Sequence, residues 1–173
     1  MLICALLLST IALILQGILF PSLALLPFAP FVALSLMRTS FEKSLWLALF
    51  AGVWMDLISN DPIGVHALNY TLVAALLHRF KRHFLPEEPL HFSLFTAIFS
   101  ACSTLLQLML LFLFDRRVPL QGRWILTAVV GMPIIDGFFA FCWIATPIFL
   151  FEKLYKKGKL FWLKRKRLSR TSL

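Results

Sequence analysis

Apolar residues run in long blocks along this chain and polar residues fall in short breaks between them, a pattern that predicts membrane-crossing helices rather than half-buried surface helices or alternating strands. The first block covers Met1 to Phe20, close to the roughly 20 residues that cross a bilayer core, and Pro21 ends it. The second, Leu23 to Met37, is interrupted by Pro27 and Pro30, so it is expected to be kinked or partly irregular. After a polar break from Arg38 to Lys43, the blocks Ser44 to Ile58 and Val65 to Leu77 are each short for a full crossing. The run Ser59-Asn60-Asp61-Pro62-Ile63-Gly64 between them is rich in turn formers, and together they predict a helical hairpin, whether fully crossing or re-entrant. A charged loop from His78 to His91 follows, then a full-length span Phe92 to Phe114, a loop Asp115 to Trp124, and a long span Ile125 to Phe151 that carries Pro133, Asp136, Gly137 and Pro147. The expected fold is an all-α integral membrane protein, a bundle of about six transmembrane segments including the short helical hairpin broken at Ser59 to Gly64.

Composition sharpens this reading. With 60% hydrophobic residues, 14% charged residues and 18 Phe in 173 positions, the chain is a polytopic membrane protein in type, with no room for a separate soluble domain. The expected organisation is one transmembrane domain over residues 1–151 and a basic tail over 152–173. No Lys or Arg precedes the first block, so it lacks the basic start of a cleaved signal peptide and is expected to remain as the first helix. Cys4, Cys102 and Cys142 lie inside apolar runs at spacings that suit neither a disulfide framework nor a zinc site, and they read as small hydrophobes. His78, His83 and His91 share one loop with Arg and Lys, and His66 has no ligand-like neighbour at helical spacing. No metal and no cofactor are expected.

Charge then sets the orientation. Fourteen of the 17 Lys and Arg residues fall on one side of a six-segment arrangement, and only Arg116, Arg117 and Arg123 fall on the other. The positive-inside rule places both termini in the cytoplasm. In the tail, Lys156, Lys157, Lys159, Lys164, Arg165, Lys166 and Arg167 are interleaved with Phe161 and Trp162, which suits an anionic leaflet. Because the tail hangs directly off a membrane helix, a lipid surface or a cytoplasmic protein partner is expected there, and no nucleic acid.

Two carboxylates, Asp56 and Asp136, fall inside the membrane blocks, and Gln107 is a further polar residue there. Gln107 lies well within the fifth segment and Asp136 near the middle of the last, where an acidic residue costs roughly 2.5 to 3.5 kcal/mol to insert and therefore needs a partner or a wet cavity. For Asp136 the readings are a proton or substrate site, or an interhelical hydrogen bond to Gln107 or Thr127. Asp56 sits in the last turn before the hairpin loop, at the helix end whose dipole disfavours an anion, so it is expected to receive backbone N–H groups of the turn. The chain offers no Ser, His and Asp set, no metal cluster, no Gly-rich phosphate loop and no paired acids, so it is not expected to be an enzyme.

The segment Gly52 to Leu68, with Gly52, Asp56-Leu57-Ile58-Ser59, Pro62, Gly64 and Ala67-Leu68 in order, resembles the signature of the rod shape-determining protein MreD family of bacteria. Length, hydropathy profile and a last helix with an internal Pro and a basic end are similar too. The resemblance implies a non-enzymatic scaffold subunit of the cell-elongation complex in the inner (plasma) membrane, serving cell shape and the organisation of peptidoglycan synthesis. The implied partners are MreC and other elongation-complex membrane proteins, and indirectly MreB and the peptidoglycan synthases. Gly52, Asp56, Pro62 and Gly64 match the motif, whereas Asp136 has no counterpart in it.

The rival reading is a substrate-capturing membrane subunit of an energy-coupling-factor vitamin transporter, similar in size and layout. Such a protein should carry a polar and aromatic cluster in its exported loops and a sustained stripe of small residues on an early helix. Here the first helix has only Ala5, Ser9 and Ala12, and the exported loop offers Arg123 and Trp124. Association within the membrane would use small residues, and Ala97 with Ala101, Ala48 with Gly52, and Gly131 are the candidate positions, either for a partner or for packing inside the bundle.

Overall fold

In the computed structural model the chain is a bundle of helices; the structure describes residues 2–19, 25–59, 62–84, 88–113 and 127–151. In chain order these are α1 (Leu2–Leu19), α2 (Ala29–Arg38), α3 (Phe41–Asp56), α4 (Val65–Leu77), a 3-10 turn at Phe80–His83, α5 (Pro89–Leu113) and α6 (Thr127–Phe151). No strand occurs among the described residues. Helices α5 and α6, at 25 residues each, are long and apolar enough to cross a membrane, while α1 to α4 are shorter.

The shortest helix forms the centre. Pro27 and Pro30 deny α2 the donors that would extend it toward α1, and Pro30 falls in the first turn, where a missing N–H costs nothing. Of the run Leu23 to Met37, expected to be kinked or partly irregular, residues 25–28 are non-helical and the helix begins at Ala29. All residues from Ala29 to Leu36 are buried, because α2 is enclosed by α1, α3, α4 and α5. On α1 the face that meets the bundle is Ala5, Ser9 and Ala12, one helical row of small side chains, while Ile3, Leu7, Ile11, Ile14 and Ile18 point outward. That row of small residues is spent on internal packing.

Two helix starts lie earlier than the apolar blocks. Helix α3 begins at Phe41, with Glu42 in its first turn where an anion suits the dipole, and α5 begins at Pro89. The polar break expected from Arg38 to Lys43 is therefore partly helical.

Helix α6 departs from regular geometry at both of its prolines. A π-turn at Thr127–Gly131 precedes Pro133, and another at Ala140–Ala145 precedes Pro147. A proline ring collides with the carbonyl four residues back, so widening that turn relieves the clash without ending the helix. Thr146 Oγ1 donates to the Phe141 carbonyl at 2.8 Å inside the second wide turn.

Candidate functional site

The hairpin is built around Asp56. Its Oδ2 accepts the backbone N–H groups of Gly64 at 3.0 Å and Ala67 at 3.1 Å, and its Oδ1 accepts that of His66 at 2.9 Å. The carboxylate stands at the end of α3 but serves the first turn of α4, where unpaired donors and the positive end of the helix dipole favour an anion. The local sequence makes this possible in three ways. Gly64 adopts φ +97, a left-handed conformation that turns its N–H toward Asp56. Pro62 supplies the carbonyl that receives the Val65 N–H at 3.2 Å. Gly52, one turn before Asp56, lets α3 approach α4 so closely that a Cβ there would lie 2.6 Å from the His66 carbonyl oxygen and would collide with Ala67 Cα.

Asp136 occupies a second station of the same kind. It is 1% exposed, at the junction of α5, α6 and the segment before α2. Oδ1 accepts the Leu26 backbone N–H at 3.2 Å and Oδ2 accepts the Ser100 hydroxyl at 2.5 Å. The partners expected from the sequence are Gln107 or Thr127; the bonds seen here come from Leu26 and Ser100. Ser100 lies about two helical turns from Gln107 on α5, and Thr127 is exposed at the start of α6. Gln107 lines a cavity of about 170 Å³ with Leu26, Thr104, Ala128 and Met132.

Next to Asp136, α5 and α6 meet closely. A Cβ at Gly137 would stand 3.0 Å from Ala97 Cβ, and Ser93 Oγ donates to the Gly137 carbonyl at 2.6 Å. Ala97 and Gly52, both candidates for contact with a partner, are thus engaged inside the bundle, and Ala48 is fully buried. Around a Cβ built at Gly131 there is open space.

Several polar residues of the core escaped the sequence reading. Asn69 Nδ2 donates to Ser103 Oγ at 2.8 Å between α4 and α5. Tyr70 is fully buried, with its ring edge-on to His66 at 6.2 Å and to Phe99 at 5.9 Å, and its hydroxyl finds no hydrogen-bond partner among the described residues. The signal for this layer was present: Ser93, Thr96, Ser100, Ser103 and Gln107 recur at three- and four-residue intervals along α5 and form one polar row in an apolar helix.

No group of three or more His, Cys, Asp or Glu that would hold a metal ion occurs among the described residues. Each buried carboxylate is occupied by donors from its own chain. What the arrangement does chemically is fix backbone geometry at two helix starts in a low-dielectric interior, where an unpaired N–H is costly.

The basic tail residues Lys156, Lys157, Lys159, Lys164, Arg165, Lys166 and Arg167 lie outside the described residues, as do the loop arginines Arg116, Arg117 and Arg123.

The model of the rod shape-determining protein MreD family matches residues 1–157. The chain belongs to the MreD family. It is therefore a membrane protein of rod shape determination, from a family associated with the MreBCD shape complex. The four hairpin residues expected to match the family motif each have a place in this geometry: Gly52 supplies the close approach, Asp56 the carboxylate, Pro62 the turn carbonyl and Gly64 the left-handed residue. No curated protein and no solved structure matches the chain.

Proposed function

We propose that this MreD protein is a non-enzymatic scaffold subunit of the cell-elongation complex, seated in the plasma membrane beside MreC and coupled through it to MreB and to peptidoglycan synthases. The family match supports membership of the shape-determining machinery. The observation that carries the scaffold role is the use made of the two buried carboxylates: Asp56 and Asp136 are both consumed by hydrogen bonds that define the bundle's shape. A carrier or proton relay needs acids that exchange partners along a path. A scaffold needs a fixed outline, and polar bonds enclosed in lipid supply one.

In this reading the chain crosses the membrane about six times, counting the short hairpin as two crossings, with both termini in the cytoplasm. Residues 1–151 form the membrane domain, and the basic tail over 152–173 rests on anionic lipid. Gly52, Asp56, Pro62 and Gly64 maintain the hairpin, and Asp136 secures the approach to α2.

Detergent co-purification of the tagged full chain from its native membrane, read by mass spectrometry, tests the proposal. MreC and wall-synthesis enzymes are the expected companions. Recovery of ATPase and coupling subunits in their place would overturn it in favour of vitamin capture.

A further inference from the structure

An apolar groove of about 410 Å³ runs between α4 and α5 on the outside of the bundle, away from both carboxylate stations. Leu72 and Leu76 of α4 form one wall, Leu105 and Met109 of α5 the other, and Cys102 is part of the lining. The α4 wall is a continuous row, because Leu68, Leu72 and Leu76 recur every four residues and are 48%, 47% and 60% exposed.

The row does not end at the last apolar residue. His78 and Arg79 keep helical backbone angles after α4, so Arg79, three residues beyond Leu76, continues the same face into the charged end of the bundle. Arg79 is exposed and makes no ion pair with a described residue. Other cations at this end are engaged: Lys81 Nζ donates to the carbonyls of Leu36 and Thr39, and the Arg38 guanidinium sits over the Phe149 ring. At the start of α5, Glu88 lies 2.7 Å from His91 Nδ1.

We propose that this groove holds one acyl chain of an anionic phospholipid whose phosphate is bound by Arg79. The two halves of the site match the two halves of that ligand. A guanidinium presents paired donors that fit a phosphate, and it stands where an apolar groove meets the interfacial zone. The walls also favour a flexible chain over a partner helix. Helices approach one another in lipid through small residues, whereas this groove is rimmed by Leu and Met, and the small residues Gly52 and Gly137 face inward. The inference needs only the membrane setting and is independent of the scaffold reading.

The test uses the full chain in nanodiscs containing phosphatidylglycerol and phosphatidylcholine with identical acyl chains, followed by native mass spectrometry of the lipids that remain bound. The wild type is expected to retain phosphatidylglycerol preferentially, and Arg79→Gln to lower that preference about fivefold, the effect of one basic residue at an anionic surface. The basic tail is present in both proteins, so the difference isolates Arg79. Leu105→Trp, which fills the groove from an exposed position, should reduce retention of both lipids. An unchanged preference in Arg79→Gln overturns the proposal. So does a photo-crosslinking residue at Leu105 that captures a protein instead of lipid in the native membrane.

Discussion

Leu26 donates its backbone N–H to Asp136 Oδ1 at 3.2 Å, across 110 residues of chain, and thereby holds the approach to the most deeply buried helix of the bundle. The far end of that helix is held by a cation. Lys81 Nζ donates to the carbonyls of Leu36 at 3.3 Å and Thr39 at 3.1 Å. A side-chain acceptor before the start of α2 and a cation at its end complement the unpaired backbone groups at both termini. For a helix whose residues Ala29 to Leu36 are all buried, these bonds satisfy backbone groups at its two ends.

Lys81→Met keeps most of the apolar stem and removes both carbonyl bonds. The expected cost is about 1–2 kcal/mol in a denaturant titration of the purified protein in mixed micelles. Lys81→Arg should recover most of it, and a Met variant as stable as the wild type would show that the carbonyls are hydrated instead.

At the hairpin, Asp56 uses both oxygens for three N–H donors, so an amide cannot replace it. Asp56→Asn turns an NH2 group toward at least one backbone N–H. It should lose about 1–3 kcal/mol, nearly as much as Asp56→Ala, and lower the amount of folded protein in the membrane. Thermal stability of the purified variants checks this; an Asn variant matching the wild type would mean the hairpin closes without the anion.

Gly52 and Gly137 both sit at helix contacts, but their neighbours differ. A methyl at Gly52 meets Ala67 backbone and the His66 carbonyl, which cannot swing aside, whereas at Gly137 the nearest atom is the Ala97 methyl at 3.0 Å. Gly52→Ala is therefore expected to cost about 1–3 kcal/mol and Gly137→Ala less, by the same micelle titration. The reverse order would contradict the packing described for the hairpin.

The parts of this structure that were legible in the sequence are those whose partners are close along the chain. Asp56 and its donors lie within eleven positions, and the turn formers between them announce the hairpin. Asp136 was recognisable as a buried acid needing a partner, but the partner was not. Leu26 contributes a backbone N–H, which every residue except proline carries and which therefore leaves no trace in the sequence. Ser100 was one of several hydroxyls on α5, and only the crossing of α5 and α6 selects it.

Lys81 shows a second limit. In the charge asymmetry it counts as one more cytoplasmic cation, equal to Arg79, yet one is committed to α2 and the other is exposed. The early starts of α3 and α5 have a related cause. Hydropathy marks where the apolar layer begins, whereas a helix extends beyond that layer wherever its first turn can be solvated or charged.

The most direct measurement is rescue of rod shape by Asp136→Asn in cells depleted of the native protein, with membrane abundance measured in parallel. The amide retains an oxygen for the Leu26 N–H and can donate to Ser100 Oγ in place of accepting from it, so a structural carboxylate at this position tolerates the change. Rod shape and abundance close to wild type are predicted for Asp136→Asn, and loss of both for Asp136→Leu, which strands the two donors. Round cells with normal amounts of the Asn variant would contradict the account and show that the charge of Asp136 itself is used.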